Sequence, residues 1–185
     1  MVEIGKKVFF GLWILLIVSF FVAYLYNPAI ASPQYIRDLI EPYGKEMILV
    51  YFLLSMVRGL FLIPSTPFVI GGAMLFPDNL LLVLTISMVG VMASATALYY
   101  FSDLLGFSKY LEGKHSSKID RWKERLQSRQ SILFVLAWSV FPLVPTDLIC
   151  YVAGIVKMPY RYMFIGVFFG ELLLDIFYVF FWYSL

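Results

Sequence analysis

The 185-residue sequence has a single cysteine, Cys150, and a single histidine, His115. One thiol rules out an intramolecular disulfide and supplies no cysteine cluster for a metal. One imidazole in a polar stretch gives no histidine-based zinc or haem site. Charge is scarce too: Asp, Glu, Lys and Arg make up 14% of the chain, whereas 62% is apolar. A soluble domain of this length could not hide so much apolar surface in one core. No nucleophile–base pair and no carboxylate set with metal-ligand spacing is visible, so an enzyme is not expected. Neither a cofactor, a metal nor a nucleic-acid partner is expected. The oily stretches recur along the whole chain, so lipid must serve as the solvent for most of it. The expected fold class is an all-α integral membrane protein.

The apolar stretches are Val8–Tyr26, Met47–Phe76, Leu80–Phe101, Ser131–Val156 and Tyr160–Leu185. The first follows Lys6 and Lys7 and is longer than a usual signal-peptide core. It reads as a spanning helix, although Ala29-Ile30-Ala31 faintly resembles a signal-peptidase site. Between the first two stretches, Tyr35, Ile36, Leu39, Ile40 and Tyr43 fall at helical spacing within Gln34–Lys45, a short helix lying in the interface. Residues 1–46 thus form an N-terminal spanning and interfacial part, and residues 47–185 the main membrane domain. A basic linker at 106–130 carries Lys109, Lys114, Lys118, Arg121, Lys123, Arg125 and Arg129 against Glu112, Asp120 and Glu124. Ile119, Trp122 and Leu126 are its apolar stripe.

The cations then set the topology. Lys6 and Lys7 put the N-terminus in the cytoplasm, and the linker belongs there too. Three crossings between them would place the linker outside, so one segment must enter and leave by the same face. Met47–Phe76 is the candidate, broken near its middle by Pro64-Ser65-Thr66-Pro67. As one straight helix it would reach about 45 Å, against a hydrocarbon core of about 30 Å. Ser131–Val156 repeats the pattern, broken by Pro142-Leu143-Val144-Pro145 and followed by Lys157 and Arg161. The expected architecture is spanning helices plus two inverted re-entrant helical hairpins. The alternative is two long, kinked spanning helices, against the charge bias. The chain is expected in the cell membrane, multi-pass, with its C-terminus outside.

Charges placed deep in a membrane need a reason, since each costs about 2.5–3.5 kcal/mol on insertion scales. Arg58 lies roughly 16 Å into the first hairpin at helical rise. Asp147 stands just past the second break, and Glu171 and Asp175 share one face of the last helix. Arg58 either neutralises a carboxylate to fix hairpin packing, or holds an anionic headgroup while a carboxylate takes up a proton. Asp147, Glu171 and Asp175 are the proton-coupling candidates. Ser65 or Thr66 can cap a half-helix beginning at Pro67, and Pro145-Thr146-Asp147 offers a second cap. Both half-helix N-termini would then face the membrane centre and favour a phosphate or carboxylate. Arg58, Ser65, Thr66, Thr146 and Asp147 are therefore the expected substrate contacts. Gly71, Gly72, Gly154, Gly166 and Gly170, and the small residues Ala93–Ala97, suit close helix approach.

The stretch RGLFLIPSTPFVIGGAMLF, Arg58 to Phe76, resembles the first re-entrant hairpin of the DedA superfamily, in its VTT-domain (SNARE-associated Golgi protein) branch. FPLVPTDLICYVAGI, Phe141 to Ile155, resembles that family's second hairpin signature. The resemblance covers roughly Met47 to Leu185. It implies two inverted re-entrant loops and a role in moving lipids across bilayers, as a flippase or scramblase. The implied partners are membrane lipids: an anionic phospholipid or a polyprenyl phosphate such as undecaprenyl phosphate. Two positions depart from the family pattern. Ser139 stands where many members carry an arginine, and Ser102-Asp103 where a Gly-Arg pair is common; both bear on substrate more than on fold. Two other functions stay open, a proton-coupled transporter of a small soluble anion and a non-transporting scaffold that recruits partners through the linker. A homo-oligomer stays open as well.

Overall fold

The computed structural model describes residues 2–104, 124–141 and 144–182, with side chains described for 11–102, 124–141 and 144–180. Residues 105–123, which hold most of the basic linker, and Pro142 and Tyr183 lie outside the described residues, as do the side chains of Lys6, Lys7, Asp103 and Trp182.

The described residues are helical almost throughout. In chain order the α-helices are α1 (Val2–Tyr26), α2 (Pro33–Ile40), α3 (Met47–Val57), α4 (Thr66–Leu75), α5 (Leu80–Leu104), α6 (Ser131–Ser139), α7 (Thr146–Ile155) and α8 (Tyr160–Ile176). Within α5 and the α8 segment, Leu80–Ser102 and Tyr160–Phe180 are long and apolar enough to cross a membrane. The last segment leaves α geometry at Phe177, where a π-helical stretch runs to Trp182.

Both proline-broken segments turn back on themselves. Tyr51 of α3 donates its hydroxyl to the carbonyl of Phe68 in α4 at 3.2 Å, across 17 residues. A straight helix would hold those residues about 25 Å apart. Phe134 of α6 and Val152 of α7 likewise line one groove. The first break is made by a 3-10 turn, Arg58–Phe61, and by Leu62 in the left-handed region at φ 58°. Proline does the rest: Pro64 and Pro67 have no N–H to extend the ladder, so the chain restarts as α4.

Long helix α5 is the spine. Its early residues Val83 and Ile86 pack with Ile36, Ile40, Tyr51, Phe68, Val69 and Val179. Its later residues Val91, Ala95 and Leu98 pack with α6, α7 and α8. The first arm of each unit lies on its own long helix, α3 on α5 and α6 on α8. The second arms reach across: α7 lies on α5, and α4 is shared between α5 and the continuation of α8. Glycines set these approaches. A Cβ on Gly166 or Gly170 would strike α6, at Val135 and at Ser139 respectively, and one on Gly154 would strike Ser102 and Tyr99 of α5. Gly90 of α5, unremarked in the sequence, does the same against Ser55 of α3.

The expected interfacial helix is shorter than Gln34–Lys45 and better anchored. Ser32 caps α2 through Tyr35 N–H at 3.2 Å, with Pro33 at the first helical position. Ile36 and Ile40 are buried, because Gly71 of α4 leaves room for Pro33 and Ile36. Tyr35, Leu39 and Tyr43 remain exposed. Helix α1 is exposed over most of its described length. Its inward contact is Trp13, which donates to Leu60 O in the first break at 2.6 Å and packs its ring on Phe101 and Tyr151.

Candidate functional site

Between the two apolar cores lies a layer of buried polar side chains, and the two breaks meet there. Arg58, at the head of the first break, is 5% exposed. Its guanidinium donates to Ile63 O at 2.9 Å, closing its own break, and to Asp147 Oδ2 at 3.3 Å, reaching the second. Asp147 Oδ1 accepts from Ser94 Oγ of α5 at 3.1 Å. Gly59 makes this approach possible, since a side chain there would collide with Ser94 and Asp147. The ion pair thus joins the two hairpins and is held from the side by the spine helix.

Glu171 of α8 is the second junction. Ser65 donates to its Oε2 at 3.1 Å, and Thr146 donates to its Oε1. Each hydroxyl belongs to the residue directly after a break proline, Pro64 or Pro145. Each unit therefore puts one hydroxyl, directly after a break proline, on one oxygen of the same carboxylate. Arg58 and Ser139 stand six residues before Pro64 and Pro145 respectively. Only the first unit carries the cation. Ser139 is fully buried against Gly170, and its hydroxyl has no hydrogen-bond partner.

The sequence-expected residues come together in part. Arg58, Ser65, Thr146, Asp147 and Glu171 form one cluster, and Pro64, Thr66 and Pro145 line the small cavity beside it with Glu171. That cavity measures about 10 Å³, room for roughly one water. Pro67 is in the first turn of α4. Asp175, one turn past Glu171, is buried with both carboxylate oxygens unpartnered. Three carboxylates therefore face one guanidinium in this layer.

The expected capping is corrected by the structure. Ser65 precedes α4 in helical conformation, φ −70° and ψ −36°, and makes no capping bond; Thr66 is already inside the helix. A capping side chain needs extended backbone at that residue. Pro145 precedes α7, and neither Thr146 nor Asp147 caps it. The hydroxyls and carboxylate that could have capped are spent on contacts between the units instead. Ser94, Gly59 and Trp13 were not singled out from the sequence. Ser94 was hidden in a run of small residues that suits packing, and no local pattern marks the other two.

The VTT domain model matches residues 63–184, from just before the first break proline to beyond Trp182. No curated protein and no solved structure matches the chain. With two broken helical units meeting on a shared polar layer, and a family model over most of its length, the chain belongs to the VTT-domain family of membrane-associated, DedA-type proteins.

Proposed function

We propose that the protein is a multi-pass membrane protein that moves a phosphate-bearing lipid headgroup across the bilayer through the polar layer where the two breaks meet. The observation that carries this reading is the shared grip on Glu171. Two half-helices, α4 and α7, present their N-terminal turns to a single carboxylate. Helix N-termini carry partial positive charge and favour an anion. Glu171 occupies that anion seat in the closed state, and a lipid phosphate takes it when the breaks part. A cavity of about 10 Å³ has no room for a headgroup, so parting is a required step. Arg58 supplies the cation for the incoming phosphate, and Asp147 is the internal anion it leaves.

The excess of carboxylates over guanidinium in the layer favours coupling to protons. Three buried carboxylates cannot be neutralised by Arg58 alone, and unpaired buried charge is costly. An arriving phosphate adds negative charge, so proton uptake by Glu171 or Asp175 keeps the layer close to neutral. In the membrane the two broken units are re-entrant hairpins in inverted orientation, with the N-terminus and linker cytoplasmic and the C-terminus outside. Eleven of the 14 Lys and Arg then lie on the cytoplasmic side, which supports that arrangement. Labelling of single cysteines at Asp78 and Lys114 checks it: the two sites must react from opposite sides, and equal reactivity overturns the arrangement.

The functional test is reconstitution in liposomes with fluorescent anionic phospholipids and a polyprenyl phosphate. Wild type should translocate at least one of them above protein-free vesicles. Arg58→Ala, Asp147→Asn and Glu171→Gln should each lower the rate. Background-level translocation by wild type, or full activity in all three variants, overturns the reading.

A further inference from the structure

The two units fill the space between their arms differently. In the first, Tyr51 crosses from α3 to α4 and α5, where its hydroxyl meets Phe68 O and Ser87 Oγ at 3.2 and 2.9 Å. Gly72 gives it room, since a Cβ there would lie on the tyrosine ring and hydroxyl. In the second unit, Trp138 turns its indole N–H onto Pro145 O at 3.5 Å, within its own break. A groove of about 250 Å³ is left between α6 and α7, lined by Phe134, Trp138, Leu148, Ile149, Val152 and their neighbours. No polar atom is exposed on its walls. Phe134, Leu148 and Val152 are 44%, 38% and 36% exposed, so it opens sideways rather than into the core.

We propose that this groove seats one hydrocarbon chain of the lipid whose headgroup occupies the polar layer; its purpose rests on the lipid-transport reading above. Three observations choose that occupant. Walls without polar atoms offer nothing to water, a soluble anion or a polar peptide. The flanking helices are those of a membrane-family chain, so hydrocarbon is the surrounding medium. The groove also starts beside the headgroup site: Trp138, which lines the groove, donates to the carbonyl of Pro145, which lines the cavity at Glu171. It begins at Leu148 and Ile149, in the first turn and a half of α7, next to Thr146 and its bond to Glu171. From there it runs along α7 to Val156, about 12 Å at helical rise. A lipid with its phosphate at the break can lay one chain straight down this channel. In the first unit the Tyr51 side chain occupies the space between α3 and α4 instead.

The test uses the full chain in phosphatidylcholine vesicles with a trace of phosphatidylglycerol bearing a diazirine at the end of one acyl chain. After irradiation, labelled peptides are mapped by mass spectrometry. Label should concentrate on Phe134–Trp138 and Leu148–Val156 and fall when unlabelled phosphatidylglycerol is added. Val152→Trp, which fills the groove, should cut that labelling by about tenfold, the effect of losing contact with about two methylenes. Label on Leu12, Leu15 and Leu25 of α1 should not change, which also reports that the variant is folded. Labelling spread over all exposed apolar residues, resistance of the groove label to competitor, or no effect of a folded Val152→Trp overturns the proposal. The two readings fail separately: groove labelling without translocation removes the transport function alone, and translocation without groove labelling removes the groove alone.

Discussion

Removing Arg58 should cost far more than removing an ordinary arginine. Its side chain is 4% exposed and that of Asp147 is 5%, so neither partner can turn to solvent when the other is lost. Breaking a buried pair from one side costs about 3–5 kcal/mol, because the remaining charge has no counterpart. Arg58→Ala also leaves Ile63 O without its donor, adding about 1–3 kcal/mol. Asp147→Asn should cost less, since the amide oxygen still accepts from Arg58 and the amide NH2 can donate to Ser94 Oγ. The double variant Arg58→Met/Asp147→Leu should recover at least about 2 kcal/mol relative to the sum of its singles, because neither half of the pair is left facing the other's empty place. The assay is chemical denaturation in detergent micelles, with a thermal scan in parallel; the Arg58→Ala loss of about 4–8 kcal/mol corresponds to roughly 8–30 °C for a chain of this size. Singles that each lose under about 1 kcal/mol, or a double equal to the sum of the singles, would show that the pair does not join the breaks as described.

The Glu171 junction gives a second test. Ser65→Ala and Thr146→Val should each cost about 1.5–3 kcal/mol, the range for hydrogen bonds to charged groups, and should be non-additive because they share one carboxylate. Denaturation of the singles and the double measures this, and strict additivity would place them in independent sites. Gly72→Ala should lose about 1–3 kcal/mol of stability by overpacking against Tyr51, whereas Gly11→Ala, which meets nothing within 4 Å, should be neutral or slightly stabilising. Thermal unfolding separates the two, and equal effects would contradict the close approach. Trp13→Phe keeps the ring but removes the donor to Leu60 O, at a cost of about 1–3 kcal/mol. Hydrogen exchange at Leu62 and Ile63 should speed up in that variant, and unchanged exchange would mean that α1 does not steady the break.

Much of the fold was legible because it follows from solvent and backbone chemistry. The apolar runs, the proline breaks and the glycine approaches are local facts that mean the same thing in any context. The charges that needed an explanation, Arg58, Asp147, Glu171 and Asp175, were legible for the same reason, since a buried charge is rare. Their partners were not. That Arg58 meets Asp147, 89 residues away, depends on how α3 and α7 both lie against α5, which no spacing reveals. The capping expectation for Ser65, Thr66 and Asp147 went wrong for a related reason. Local chemistry offered them a helix end, whereas tertiary packing offered Ser65 the carboxylate of Glu171 and Asp147 the guanidinium of Arg58. Nothing near Trp13 in the sequence marks it as the donor to Leu60 O, 47 residues away.

The reach of the second arms across the fold also constrains biosynthesis. Ser65 emerges from the ribosome 106 residues before its acceptor Glu171. The stretch around Val179, on which α4 rests, is made later still. Until then Ser65 lacks its acceptor, and Arg58 has Ile63 O of its own break but not yet Asp147. The polar layer therefore closes last, when the final helix arrives, and a chain halted before that helix should be more open to proteolysis than the finished one.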